Sequence, residues 1–263
     1  MSVALKERLR LESSTESYPG EGEDIEDLIS DISKRPEEDQ KLVLGALERY
    51  TEEGENDAYT SDTSGLRKFI AEKGLLANSE SVTDLGGGSG DLIADLSIDY
   101  PEKKFLGIDL SPSFVRKFNK KKEEKESKNS AMRIGLIDSP GILDRNKKMT
   151  EGSVISVLTL DRVADPRQLI QNMAKFAGAK ILSALLPMNP IDDNPSIPEE
   201  KRRVYTRPEK RIVPGVDAAQ DREKILVLAK ELWGTDVQVE EIDYTVNSSG
   251  DEQVYKLVTF YSK

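Results

Sequence analysis

Asp84-Leu85-Gly86-Gly87-Gly88-Ser89-Gly90, within "VTDLGGGSGDL", is the stretch best suited to chemistry. Glycine loses more freedom on ordering than any other residue, so four in five positions signal something that must approach the backbone closely. Three nucleotide-binding patterns compete for such a turn, and spacing separates them. A phosphate-cradling P-loop needs Lys followed by Ser or Thr after its last glycine, whereas Gly90 is followed by Asp91-Leu92. The dinucleotide fingerprint G-x-G-x-x-G begun at Gly86 needs glycine at position 91, where Asp91 stands. An acid at that helix start would also repel a pyrophosphate. What remains is an acid, Asp84, followed by the alternate glycines Gly86, Gly88 and Gly90.

Other acids fall in register with it. Asp109 ends an apolar run nineteen residues past Gly90, near the ~20-residue offset of a ribose-binding acid in dinucleotide folds. Asp138 closes the next apolar run, and Asp161-Arg162 follows the one after that. The chain has no histidine and no cysteine, which excludes His-based triads, His-ligated metals, thiolate nucleophiles, disulfides and cysteine-held iron–sulfur clusters. Acid–base work falls to Asp, Glu, Tyr, Lys or water. The 263 residues carry a formal net charge of −11, so the basic surplus usual in nucleic-acid enzymes is missing. No metal is expected.

The elements that must position these residues follow from periodicity. Residues 1–22 are polar, acidic and punctuated by Gly and Pro, and read as a loosely ordered start. Ile25, Leu28, Ile29 and Ile32 recur at helical spacing. After Pro36, so do Leu42, Val43, Leu47 and Tyr50. "TEEGENDAYTSDTSG" reads as a loop, leading to a third helix with Leu66, Phe69 and Ile70 that ends at Gly74. From Ser81 strands and helices alternate: strands at "SVTDL", "KFLGIDL", "MRIGLID", "SVISVLTL" and "KILSALL", with a helix closed by Gly178 before the last. A helix over 217–233 and two strands flanking "NSSGD" complete the chain as a hairpin. Alternating strands and helices imply parallel pairing through helical crossovers.

The D-x-G-x-G-x-G turn at Asp84, with Asp109 and Asp138 at the ends of the next two strands, resembles the first motifs of the class I S-adenosylmethionine-dependent methyltransferases. The resemblance runs from about Ser81 to Lys263. It implies an α/β fold: a Rossmann-like, seven-stranded, mostly parallel sheet with a C-terminal antiparallel hairpin and an N-terminal helical lid. The domain expectation is a flexible 1–22, a lid over 23–78, and a catalytic domain over 79–263 with an insertion at about 187–216. By the same resemblance Asp84 holds the methionine end of S-adenosylmethionine, Gly86, Gly88 and Gly90 admit it, Asp109 holds the ribose, and Leu110 packs on the adenine. Asp138 binds the adenine amino group, and Leu160 joins the cofactor contacts. The alternative for Asp138 is an ordinary strand-ending turn, "IDSPG".

Methyl transfer from a sulfonium is a direct displacement with a neutral leaving group, so alignment alone can supply roughly 7–11 kcal/mol. A chain without histidine can do it. Asp161 and Arg162 stand where related enzymes often carry histidine or another polar residue. Asp161 reads as a base or nucleophile-orienting group, or else as a helix cap; Arg162 reads as an anchor for a substrate anion, or else as the partner of Asp161. Tyr50 and Tyr59 belong to the expected lid. The Pro-rich segment after the fifth strand holds Arg203 and Tyr205 in a basic cluster, read either as a cover for an anionic substrate or as a solvated loop.

The expected activity is therefore methyl transfer to O, N or C of a small molecule. The alternatives are a protein or RNA methyltransferase, aminopropyl transfer from decarboxylated cofactor, or a non-catalytic nucleotide-binding Rossmann protein. The base-amino methyltransferase motif is not matched by "LDRVADP", and five-position cytosine methylation lacks its cysteine. No nucleic-acid or membrane partner is expected. "MSVALKERLR" is too charged for a signal-peptide core, which makes the cytoplasm the expected location.

Overall fold

The computed structural model describes residues 7, 9, 18, 20–55, 59–145, 152–160, 163–185, 218–233, 236–248 and 251–262. Two helices, α1 (Glu21–Ser33) and α2 (Glu37–Glu55), come first, followed by a short strand β1 (Tyr59–Asp62) and α3 (Ser64–Glu72). Then come β2 (Ser81–Leu85), α4 (Asp91–Asp99), β3 (Lys104–Asp109), α5 (Pro112–Glu124), β4 (Ser130–Ile134) and a single turn α6 (Ile142–Arg145). β5 (Gly152–Val157), α7 (Pro166–Phe176), β6 (Ala177–Leu185), α8 (Ala218–Trp233), β7 (Val237–Ser248) and β8 (Asp251–Ser262) follow.

One sheet of eight strands runs in the order β1-β7-β8-β6-β5-β2-β3-β4. Its pairs are parallel from β6 through β4, and β8, β7 and β1 continue it antiparallel. The eighth strand is β1, in the stretch expected to be a loop: Tyr59 to Asp62 pair with Ser248 to Thr245. Four polar residues carry no apolar alternation, so periodicity could not reveal this strand. The first five residues of the same stretch instead prolong α2 to Glu55. Gly178 does not close α7 either, because the chain passes from Phe176 directly into β6.

The central strands are buried on both faces, as parallel strands must be when helices cover them. On one face Val82, Phe105 and Met132 pack with Ile93, Val115 and Phe118 of α4 and α5, and with Ile25, Leu28, Leu47, Leu66 and Ile70 of the N-terminal helices. On the other, Leu85, Leu106 and Ile108 pack with Leu169, Met173 and Phe176 of α7 and with Trp233 of α8. The N-terminal helices thus share one continuous core with the α/β unit.

Ion pairs fasten α1 along the edge strand β4. Arg133 of β4 grips the buried Asp24 through both Nε and Nη2, and Tyr18 adds a hydroxyl to the same carboxylate. That hydroxyl also accepts the N–H of Ile134 at 3.1 Å, capping an edge-strand donor. Arg145 pairs with Asp31, and Arg116 with the fully buried Glu21. Tyr18 and Leu9 are packed against the same core.

Candidate active site

The strand order reverses between β2 and β5, the switch point where open α/β sheets bind ligands beyond their carboxyl ends. The glycine turn leaves β2 here. Gly86, Gly88 and Gly90 have φ of +87°, +53° and +72°, a region that side chains disfavour. They serve different ends. A Cβ at Gly86 would lie 2.5 Å from Thr159 Oγ1, and one at Gly90 would collide with the Phe118 ring, so both are demanded by packing. A Cβ at Gly88 would meet nothing within 4 Å. Gly88 alone of the three faces open space.

Asp84 lies beneath the turn, 3.5 Å from the position of a Cβ at Gly87. It is buried, and its Oδ1 has no hydrogen-bond partner. Burial, and then the charge of Asp109, push this carboxyl up to about 7. Leaving such a group unpartnered is costly unless a ligand supplies the missing partner. Asp109 ends β3 as expected: its Oδ2 accepts the N–H of Gly88 at 2.8 Å and its Oδ1 that of Ser111 at 2.9 Å. It thereby fixes the glycine turn relative to the start of α5, whose N-cap is Ser111.

Leu110 is half-buried beside Phe114 and Ala164, and Leu42, Ala46 and Tyr50 of α2 close over them. The Tyr50 and Phe114 rings lie 6.2 Å apart between centroids. These three residues of α2 recur every four positions, so one stripe of the helix roofs the carboxyl ends of β3 and β5. Tyr59 belongs to β1 at the far edge of the sheet, paired with Ser248.

One expected position is corrected, that of Asp138, and Leu160 lies in the core. Asp138 does not end a strand: β4 stops at Ile134, and Asp138 lies four residues on, in a turn. Its carboxylate meets Arg35, whose Nη1 donates to Oδ2 at 3.0 Å, and it accepts the Asp165 N–H at 2.8 Å. Burial pushes its carboxyl up while Arg35 and the Asp165 N–H pull it down, with burial the larger effect. Leu160 is packed in the core among Leu85, Val163 and Leu169, 2 % exposed, and not at an open surface. β5 ends at Val157, earlier than its apolar run, because Leu158 takes a φ of +57° and turns the chain.

Asp161, Arg162, Arg203 and Tyr205, with the 187–216 insertion, lie outside the described residues. The cap of α7 is Asp165, which accepts the Gln168 N–H at 2.9 Å. Sequence reasoning missed Arg35, Leu158 and Thr159. Arg35 precedes Pro36 with no spacing that links it to Asp138, and "LTL" carries no mark of a strained turn. The Asp165-Pro166 pair was a legible helix start.

Among the described residues no group of His, Cys, Asp and Glu is placed to hold a metal, and no helix is long and apolar enough to cross a membrane.

Residues 76–195 match the family model described as a methyltransferase domain. A SAM-dependent methyltransferase from Anabaena variabilis superposes with a TM-score of 0.59 at 18% identity, over 84% of this chain and 94% of that one. The N-terminal domain of EvdMO1, solved with SAH bound, gives 0.52 at 14% identity over 87% of this chain and all of that one (100%). An O-methyltransferase family protein from Burkholderia thailandensis gives 0.51 at 17% identity, over 76% of this chain and 56% of that one. Identities this low speak for the fold. No curated protein matches the chain.

Proposed function

We propose that this chain transfers a methyl group from S-adenosylmethionine to a small molecule, a reading supported by the match of residues 76–195 to a methyltransferase domain and by a fold similar to that of a SAM-dependent methyltransferase. Two observations together carry the cofactor reading: Asp84 is a buried carboxylate with an unpartnered oxygen beneath the glycine turn, and Gly88 in that turn faces open space.

The residues fit this cofactor. Its sulfonium and ammonium favour nearby carboxylates, where a phosphate would be repelled. Asp84 would hold the methionine end. Asp109 would hold the ribose, because a carboxylate has about four acceptor positions and can serve both the turn and sugar hydroxyls. Leu110, under Tyr50 and beside Phe114, offers the base an apolar wall. When bound, the cofactor supplies an activated methyl with a neutral leaving group. The protein's part is to orient, to exclude water and to hold the acceptor in line, the role this reading gives to α2 and the glycine turn.

Asp161 and Arg162 come two and three residues after Thr159 in the sequence, and the reading takes them as the acceptor-facing pair, with Asp161 as base and Arg162 as anchor of an anionic group. Arg203 and Tyr205 would complete a cover from the insertion. The test is incubation with methyl-labelled cofactor and fractionated cell extract. Label entering metabolites supports the reading; label entering only protein or RNA replaces the substrate class, and absence of cofactor binding by calorimetry removes the reading altogether.

A further inference from the structure

We infer that Ser111 is a positioning residue that joins Asp109 to the roof helix α2, so that filling the ribose site and seating the Tyr50 end of α2 favour each other. The inference rests on the cofactor reading above. Ser111 is fully buried, and its two donors serve different elements. Its N–H donates to Asp109 Oδ1 at 2.9 Å, and its hydroxyl donates to the backbone oxygen of Tyr50 in α2 at 3.3 Å. Asp109 Oδ2 accepts the Gly88 N–H at 2.8 Å. One line of hydrogen bonds thus runs from the glycine turn through Asp109 and Ser111 to the roof.

The Ser111 hydroxyl is fully committed. A serine hydroxyl carries one hydrogen and two acceptor sites. With the hydrogen on Tyr50 O, the acceptor sites receive the Phe114 N–H at 3.4 Å, which makes Ser111 the N-cap of α5, and the Ser113 hydroxyl at 2.9 Å. A shift of Ser111 therefore disturbs the start of α5, the Asp109 carboxylate and the contact with α2 together.

The Tyr50 end of α2 is where such a link can act. Val43 and Leu47 fix the helix in the main core with Leu66 and Phe118. Ala46 and Tyr50 belong instead to a small separate cluster with Leu110, Phe114 and Ala164. That cluster is the apolar wall proposed for the cofactor's base, so the seating of Tyr50 sets the room the base has. Ribose hydroxyls on Asp109 would hold the carboxylate in the orientation that also receives Ser111 N–H and Gly88 N–H, and hydrogen bonds in such a chain strengthen one another. Coupling of this kind is reciprocal: seating α2 tightens the ligand, and the ligand steadies α2.

Ser111→Gly in the intact chain separates this role from helix capping, because glycine caps a helix nearly as well as serine but has no hydroxyl to reach Tyr50. The measurements are thermal melting, calorimetry with S-adenosylhomocysteine, and hydrogen exchange of α2 amides with and without saturating S-adenosylhomocysteine. In the unaltered chain the ligand is expected to slow exchange in the second half of α2 severalfold. In Ser111→Gly the melting temperature should stay close to that of the unaltered chain, while the slowing in α2 is largely lost. Its dissociation constant should rise about three- to tenfold, the worth of one neutral hydrogen bond. Ser111→Ala, which loses the cap as well, should melt lower and lose the slowing to the same extent. Exchange in α2 that the ligand does not slow in the unaltered chain overturns the inference, and so does slowing that survives in Ser111→Gly. Failure of S-adenosylhomocysteine to bind the unaltered chain would instead remove the cofactor reading and the inference with it.

Discussion

Asp109 and Gly88 are joined across the switch point: the carboxylate that ends β3 accepts the N–H of the one glycine that faces open space, at 2.8 Å. The acid expected to hold the ribose therefore also sets the shape of the turn that admits the ligand. Asp109→Ala is expected to weaken S-adenosylhomocysteine binding by about 1.5–3 kcal/mol, the usual worth of hydrogen bonds to a charged group. Because both roles act on binding, the Michaelis constant for the cofactor should rise more than turnover falls. Calorimetry and steady-state kinetics on the variant check this, and unchanged affinity would remove Asp109 from the site.

Gly86 and Gly88 should part company when replaced by alanine. At Gly86 a left-handed backbone costs a side chain roughly 1–2 kcal/mol, and overlap with Thr159 adds about 1–3 kcal/mol of overpacking. At Gly88 only the backbone cost applies, since the space is open. Gly86→Ala should thus lower the urea midpoint markedly. Gly88→Ala should be less destabilised than Gly86→Ala and yet lose cofactor affinity, because its methyl occupies the ligand's room. Equal stability losses in the two would contradict the distinction between packing and ligand glycines.

The pH dependence of binding follows from Asp84. Burial raises this carboxyl from 3.8 to about 7 in the folded chain. The stability linked to this group is then fully present below the unfolded value and is lost as pH rises through the folded one, with a slope of at most about 1.4 kcal/mol per pH unit. A cationic ligand favours the ionised form. Binding at pH 6 should release a proton, and affinity should rise up to about pH 7 and level off. Calorimetry at pH 6 in two buffers of different ionisation enthalpy measures that proton directly. Asp84→Asn should abolish the release; proton release persisting in this variant would assign it to another group.

The strap between α1 and β4 should carry stability without touching chemistry. Asp24 is buried and accepts from Arg133 through two nitrogens as well as from Tyr18. Asp24→Ala is expected to cost about 1.5–3 kcal/mol, the range for charge-assisted hydrogen bonds. A double-mutant cycle with Arg133→Ala should show a clear coupling energy. If Asp24→Ala lowered cofactor affinity as strongly as stability, the strap would belong to the site.

The turn at Asp84 to Gly90 was legible because its demands are local. Positive φ, close approach and the acid ahead of the glycines are properties of adjacent residues, and the alternation of apolar runs was enough to imply parallel strands with helices between them. Asp109 was legible for the same reason: a parallel strand of known length puts its last residue at the carboxyl edge. β1 was not, since four polar residues pair only because β7 offers an edge. Nor could local pattern show that Leu158 breaks its strand by a left-handed turn, or that Thr159 fills the space denied to Gly86. The fate of Asp138 depended most on tertiary structure. Its partner lies 103 residues away in the sequence, and only the docking of α1 and α2 onto the sheet brings a guanidinium to that carboxylate. Local residues thus determined which groups could bind a ligand; long-range packing decided which partners those groups met, because a buried charge takes whatever partner the fold places beside it.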